Sequence, residues 1–367
     1  MKRIFVRGTG AVSPAGWGVD ALFEALQRPE SLALKELKRP GWTEPLLVRR
    51  TPAPSSRPGF LVHPRLRRAS AITQYAVASA LEALGPHVDQ IRQGSLRLGV
   101  VFCVMTGCVN YSRRFYDEVL RDPATASPLV FPETVFNAPS SHLACLLGTG
   151  EINYTLVGDP GTFLQGMALA ADWLVTGQMD GALVIGAEEV EWLAVDAYRL
   201  IAPSVVLGDG AGAVYLTARL ENDAHCRSLP LTPALSPGGR EGEGSAKDGR
   251  AIELQRVTDA HLFYCQQSRV RAAAKMSAEL AAGPPADFLC DGLQGISKLD
   301  AAESEAWKEW SGSWLSPKKI LGEGSMAASA WQCVIAAEAL KRGICERANV
   351  SVVGCNQQAI GAQLSKT

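Results

Sequence analysis

No run in this chain approaches the roughly 18 consecutive apolar residues that span a bilayer. The N-terminal apolar stretch Ile4–Val6 is cut off by Arg7, which is too short for a secretory signal. Neither a membrane helix nor an export signal is expected, so the reading is a cytoplasmic protein. An excess of one charge is also missing. Thirty-six Lys and Arg stand against 37 Asp and Glu, a net charge of −1, which argues against a nucleic-acid or polybasic membrane surface. The nine cysteines (Cys103, Cys108, Cys145, Cys226, Cys265, Cys290, Cys333, Cys345, Cys355) are odd in number and form no CxxC. A zinc ribbon and a thioredoxin-like motif are thereby set aside. Most of these cysteines sit in apolar runs, where a reduced, buried thiol is expected. The five histidines (His63, His87, His142, His225, His261) include no pair at metal-ligand spacing, and no metal or cofactor is expected. P-loop, HExxH and GxSxG patterns are absent. Gly8-x-Gly10 follows a strand-like run but lacks the third glycine and the later acidic partner of a dinucleotide site. It reads as a tight strand-to-helix turn.

What the chain does have is length and alternation. Its 367 residues, 47% of them hydrophobic, suffice for two domains or one large duplicated one. Strand-like runs fall at Ile4–Val6, Leu98–Val104, Ile152–Val157, Gly181–Ile185, Gly210–Leu216, Phe288–Cys290 and Val350–Val353. Helical spacing appears over Ser70–Leu84, Phe163–Thr176, Ala272–Ala282 and Ser329–Lys341. Short buried strands alternating with helices indicate an α/β fold. Ser228–Arg250 (SLPLTPALSPGGREGEGSAKDGR) breaks the pattern with Pro, Gly, Ser and charge, and reads as a loop. Its LTPALSPGGREGE stretch resembles a translated intergenic repeat of Gram-negative bacteria, so a tolerated insertion is expected. The chain thus divides into residues 1–225, a loop or insertion over 226–250, and residues 251–367.

Several stretches in order resemble a β-ketoacyl-acyl-carrier-protein synthase of the thiolase-like fold. RGTGAVSPAGWGVDALFEAL is similar to that family's first strand and following helix, and RRASAITQYAVASALEAL to its next long helix. SPLVFPETVFNAPSSHLA resembles the dimer-interface segment, with Pro128, Pro132, Thr134, Asn137 and His142 in familiar spacing. AADWLVTGQMDGALVIGAEEV resembles the nucleophile helix with its next strand, and LGDGAGAVYL the closing glycine-rich strand. The resemblance covers most of residues 1–220 and then 285–345. It implies two pseudo-repeated βαβαβαββ halves in a five-layered α-β-α-β-α core.

The family uses one cysteine at a helix start and two histidines. In this chain the resemblance puts Pro160 at the nucleophile position, inside TLVGDPGTFLQG. Asp159 there reads as a helix N-cap and Pro160 as the first helical residue. Gly292, next to Asp291 in FLCDGLQG, stands at the first histidine position. Glu323 in KKILGEGSMAASA stands at the second, with Lys318 retained five residues before it. The GFGGTN loop is replaced by Gly354–Gly361, GCNQQAIG. A prolyl ring forms no thioester, and glycine donates no proton. Catalysis at these positions is expected to be lost, with Lys318 and Glu323 drawn into an ion pair.

Catalytically empty relatives are chain-length factors, which pair with an active ketosynthase and bound the growing chain on a carrier protein. The resemblance therefore implies a heterodimer joined through the edge strand Ile152–Val157, including Tyr154. Leu129, Val130, Phe131 and Phe136 of the crossing segment would either gate the acyl tunnel or fill the interface. The compact length, the proline and the Gram-negative repeat point to the synthase-like partner of aryl polyene pathways. Two other readings stay open. One is an enzyme whose chemistry has moved to Cys290 or Glu323, acting as acyltransferase, thioesterase or decarboxylase. The other is a module that binds carrier-borne acyl chains without a ketosynthase.

Overall fold

The computed structural model describes residues 2–28, 30–220 and 251–367. The loop or insertion expected over 226–250 lies outside the described residues. Ten strands carry the architecture: β1 (Lys2–Ser13), β2 (Leu98–Val104), β3 (Asn153–Val157), β4 (Gly181–Glu188), β5 (Gly210–Leu220), β6 (Ile252–Val257), β7 (Phe288–Cys290), β8 (Ser313–Leu315), β9 (Arg347–Val353) and β10 (Gln358–Lys366). Seven helices matter for the site. They are α1 (Ala71–Leu84), α2 (Ala138–Leu147), α3 (Thr162–Thr176), α4 (Trp192–Ile201), α5 (Gln266–Ala281), α6 (Ser297–Ala306) and α7 (Met326–Lys341).

In space the strands run β8-β7-β9-β10-β6-β1-β5-β4-β2-β3. The first five strands lie in the order β1-β5-β4-β2-β3, and the last five repeat it as β6-β10-β9-β7-β8. The directions repeat as well. β1 and β5 pair antiparallel, β5 and β4 antiparallel, and β4-β2-β3 are parallel. The corresponding pairs of the second half have the same senses. The antiparallel β1–β6 pair joins the halves. Each half therefore runs strand–helix three times and closes on an antiparallel pair, which is the duplicated architecture expected from the sequence.

Side-chain alternation assigns the layers, because successive strand residues face opposite sides. Val100, Phe102 and Val104 of β2 pack with Ile72, Ala76, Val77 and Ala80 of α1 on an outer face. Val101 and Cys103 of the same strand point the other way, onto α3 and α7. In the second half, Leu289 packs outward with Ala272, Met276 and Ala302 of α5 and α6, whereas Phe288 and Cys290 face the centre. Helices α3 and α7 are thus sandwiched between the two half-sheets. Every residue of α7 from Met326 to Leu340 is buried, as a helix enclosed on all sides requires.

Gly8 and Gly10 do not make the turn expected of them. They lie inside the 12-residue strand β1, next to a register shift between Val6 and Gly8. A Cβ on either would meet a carbonyl oxygen of α1, Ala83 or Ser79, at 1.9 Å. Their role is close helix-on-strand packing. β3 begins one residue later than expected, at Asn153, and ends the sheet order with β2 as its one neighbour.

Candidate functional site

The two central helices start at the carboxyl ends of β3 and β8, and equivalent connections bring their N-termini toward the β9–β10 turn, residues 354–357. Backbone N–H groups at such ends carry partial positive charge and attract anions. Here each end already holds a carboxylate of its own chain.

At α3 the helix begins at Thr162, so Pro160 sits in the preceding turn rather than at the first helical position. Thr162 N–H donates to the Asp159 carbonyl at 2.8 Å. The Asp159 side chain accepts from the Gly161 N–H at 3.1 Å and from the N–H groups of Gln357 and Gln358 at 3.1 and 3.2 Å. The Gln358 side-chain amide adds a fourth bond at 3.0 Å. Burial raises the Asp159 carboxyl against these hydrogen bonds, which favour its ionised form. A Cβ on Gly354 would lie 1.9 Å from Asp159 Oδ2, so the turn closes directly over this carboxylate. Pro160 itself is buried and offers neither a nucleophile nor an N–H.

At α7 Glu323 plays the matching part. One oxygen accepts from the Ser325 N–H at 2.7 Å, and the other from Lys318 Nζ at 2.8 Å and Gln294 Nε2 at 2.7 Å. Both side chains of the Lys318–Glu323 ion pair are 3% exposed, which is the approach expected from the sequence. Burial pulls the Lys318 ammonium down, but neighbouring Glu323 and Glu303 outweigh it and the pKa is raised. Ser325 carries φ 47°, the one positive φ outside glycine among the described residues. Its hydroxyl lies 2.5 Å from Tyr198 Oη of α4. That phenol is raised well above its ordinary value, first by burial.

Gly292 follows Asp291 at the end of β7. Its N–H donates to Glu303 Oε1 at 3.0 Å. A Cβ there would sit 3.1 Å from Glu303 Oε2 and 3.6 Å from Lys318 Nζ, so the first histidine position abuts the ion pair at the second. Burial, and then the charge of Asp291, push Glu303 up to about 8. Burial raises Asp291 to about 6. Glu303 went unnoticed in the sequence although a signal existed. It occupies the buried stripe of α6 with Leu299 and Ala302, where a carboxylate is out of place.

Cys290, the candidate for relocated chemistry, faces the central layer, is fully buried, and has a thiol raised well above its ordinary value by burial and Asp291. It is packing, not an accessible nucleophile. Cys355 in the β9–β10 turn is the thiol nearest the convergence and feels Glu323, Asp159 and Lys318. Burial first, then Glu323, raise it to about 12. Among the described residues no group of three His, Cys, Asp or Glu side chains has metal-holding geometry.

The residues expected at the partner surface separate into two groups. Leu129, Phe131 and Phe136 are exposed, at 67%, 54% and 44%. The segment carrying them is tied down by Glu133, whose carboxylate meets His142 Nε2 at 2.9 Å, and by the Phe136 ring over Gly107. Tyr154 and Val157 of β3 are exposed as well. Val130, in contrast, is buried within its own chain because the 3₁₀ turn Phe131–Glu133 directs it inward. Ile152 is half-buried and precedes the strand.

Residues 160–231 match the family described as 3-Oxoacyl-[acyl-carrier-protein (ACP)] synthase III. The curated Beta-ketoacyl-[acyl-carrier-protein] synthase III of Granulibacter bethesdensis is 33% identical over 112 residues, which are 29% of this chain and 33% of that protein. The chain therefore aligns with only about a third of that relative's length. Solved structures extend the likeness in fold. A Beta-ketoacyl synthase from Burkholderia phymatum superposes with a TM-score of 0.76 at 17% identity, covering 100% of both chains. A ketosynthase (ApeO) in complex with its chain length factor (ApeC) from Xenorhabdus doucetiae gives 0.74 at 14%, covering 100% of this chain and 98% of that one. The chain has the thiolase-like fold of ketosynthases over its full length, and its sequence is similar to β-ketoacyl synthase III where the nucleophile helix begins.

Proposed function

We propose that this chain is a noncatalytic subunit of the chain-length-factor type, pairing with an active ketosynthase to bound acyl-chain elongation on a carrier protein. The observation that carries the reading is the double plug. Asp159 occupies the N-terminus of α3 where a thiolate and an oxyanion would otherwise sit, and Glu323 with Lys318 occupies that of α7. Pro160, Gly292 and Glu323 supply no nucleophile and no imidazole. An oxyanion needs unoccupied N–H donors, and these ends have spent theirs on internal carboxylates.

Pairing is supported by the edge. β3 ends the sheet with Tyr154 and Val157 exposed, and the adjoining Leu129, Phe131 and Phe136 add exposed apolar surface. An apolar edge strand of this kind is satisfied by joining another sheet. The finer pathway, a type II polyketide system making aryl polyenes in the cytoplasm, draws on the compact length and the Gram-negative repeat. The likeness in fold to a ketosynthase solved with its chain length factor is consistent with it.

The test is reconstitution. Co-expressed with a ketosynthase from the same genome neighbourhood, the chain is expected to elute as a one-to-one complex. A stable homodimer that ignores the ketosynthase would overturn the pairing.

A further inference from the structure

A cleft of about 260 Å³ opens beside the plugged centre, between the start of α5, the end of α4, α6 and the β9–β10 turn. Its polar lining includes Cys265, Arg269, Lys298 and Asn356, and its apolar lining Phe263, Ile201 and Leu299. Cys265 is the N-cap of the 16-residue helix α5 and is exposed. Its sulfur accepts from the Ser268 N–H within a capping box and lies 3.4 Å from Ser268 Oγ. Those bonds from Ser268 lower the thiol's pKa, as a helix N-terminus favours thiolate. One turn on, on the same helix face, Arg269 is 8% exposed and its Nε makes no hydrogen bond. Lys298 gives one of its three N–H donors to the Ile201 carbonyl at 3.0 Å. A buried guanidinium with an orphaned donor is a site waiting for an anion. Cys355, on the opposite wall, is held protonated by its raised pKa of about 12 and does not compete.

We infer that Cys265 is a covalent acyl-acceptor site, taking the acyl group from a thioester carried on an anionic arm that Arg269 and Lys298 hold in the cleft. In the step, the Cys265 sulfur attacks the thioester carbonyl carbon and forms a new C–S bond. The C–S bond to the arm breaks, and the arm leaves as a thiolate that takes up the proton Cys265 had released to solvent. No oxidant, reductant or metal is needed. The free N–H groups of the first α5 turn face the oxyanion that forms transiently, and Phe263, Ile201 and Leu299 border the acyl chain. The inference rests on the reading that this chain meets acyl thioesters, and places on it a thiol away from the family position at Pro160.

The experiment is intact-mass analysis of the full chain incubated with butyryl-coenzyme A, an anionic thioester, and with butyryl-N-acetylcysteamine, a neutral one. One butyryl adduct is expected, mapped to Cys265, absent in Cys265→Ser and retained in Cys145→Ser, whose thiol is also exposed. Arg269→Gln is expected to slow acylation by the coenzyme A thioester about tenfold, as loss of one charge-assisted hydrogen bond implies, and to leave the neutral thioester's rate unchanged. Arg269→Lys keeps the charge and restores part of the rate, and Lys298→Gln serves as the second variant should Arg269→Gln fail to fold. No adduct, equal labelling of Cys145 and Cys265, or a rate indifferent to Arg269 and Lys298 overturns the site. Absence of the adduct from a chain that still assembles with a ketosynthase removes this inference alone. Failure to assemble removes the pairing and leaves the acylation result standing.

Discussion

Lys318 and Glu323 are buried together, and a charge enclosed this way is tolerable only while its partner remains. Removing either one, as in Lys318→Met or Glu323→Ala, is expected to destabilise the fold by about 3–5 kcal/mol, read from urea unfolding. The double variant Lys318→Met/Glu323→Met is expected to recover much of that loss, because no unpaired charge is left behind. Single variants as stable as the parent would mean that water reaches the pair. Glu303 gives a prediction in pH. Its carboxyl is raised to about 8 in the fold, so the native state keeps a proton that the unfolded chain has given up above about pH 4.5. The stability linked to that proton is present in acid and is lost as pH rises through about 8. Glu188, raised to about 7 by burial, adds a loss with the same sign. Thermal midpoints are thus expected to fall between about pH 5 and 8, with a shallower fall in Glu303→Gln. An unchanged slope in that variant would assign the pH dependence to other groups. At this scale the sequence was readable where chemistry is missing. Proline, glycine and glutamate stand at three functional positions, and Lys318 five residues before Glu323 suggested their ion pair. Asp159 was read only as a cap, because its three further donors come from Gln357 and Gln358, some 200 residues away along the chain.

Elements were legible where their periodicity was clear. Ser70–Leu84 reads as a helix and forms one over Ala71–Leu84, with Ser70 as its cap. Leu98–Val104 is a strand over those same residues. Two readings differed for a shared reason, that long-range packing governs what local turn chemistry suggests. Gly8 and Gly10 are small because α1 presses on β1, and α3 starts past Pro160 because Asp159 is held by the opposite turn. β3 supplies the element-scale prediction. Its exposed apolar positions make it competent to extend a neighbouring sheet, whereas charges at an edge strand block such pairing. Tyr154→Lys combined with Val157→Lys is therefore expected to abolish complex formation in size exclusion. The thermal midpoint of the isolated chain should stay within a few degrees, since both side chains point away from its own core. A complex that survives both lysines would move the interface elsewhere.

On the scale of the whole molecule, duplication explains why one plug has a twin. The two halves share strand order and direction, so α3 and α7 enter the centre equivalently and each brings a charge-stabilising N-terminus to the same place. In this chain Asp159 and Glu323 occupy those equivalent ends. The resemblance made the five layers and the duplication legible in advance. The cleft at Cys265 was not legible, because it unites residues from four separate elements that no local pattern links. The central claim, that this chain assists condensation without performing it, is tested most directly by carrier-protein elongation with the reconstituted pair. Elongation is expected only when both subunits are present, to vanish when the ketosynthase loses its own nucleophile, and to persist with Cys290→Ala and Lys318→Met in this chain. Condensation by this chain alone, or by a pair whose ketosynthase lacks its thiol, would contradict the account.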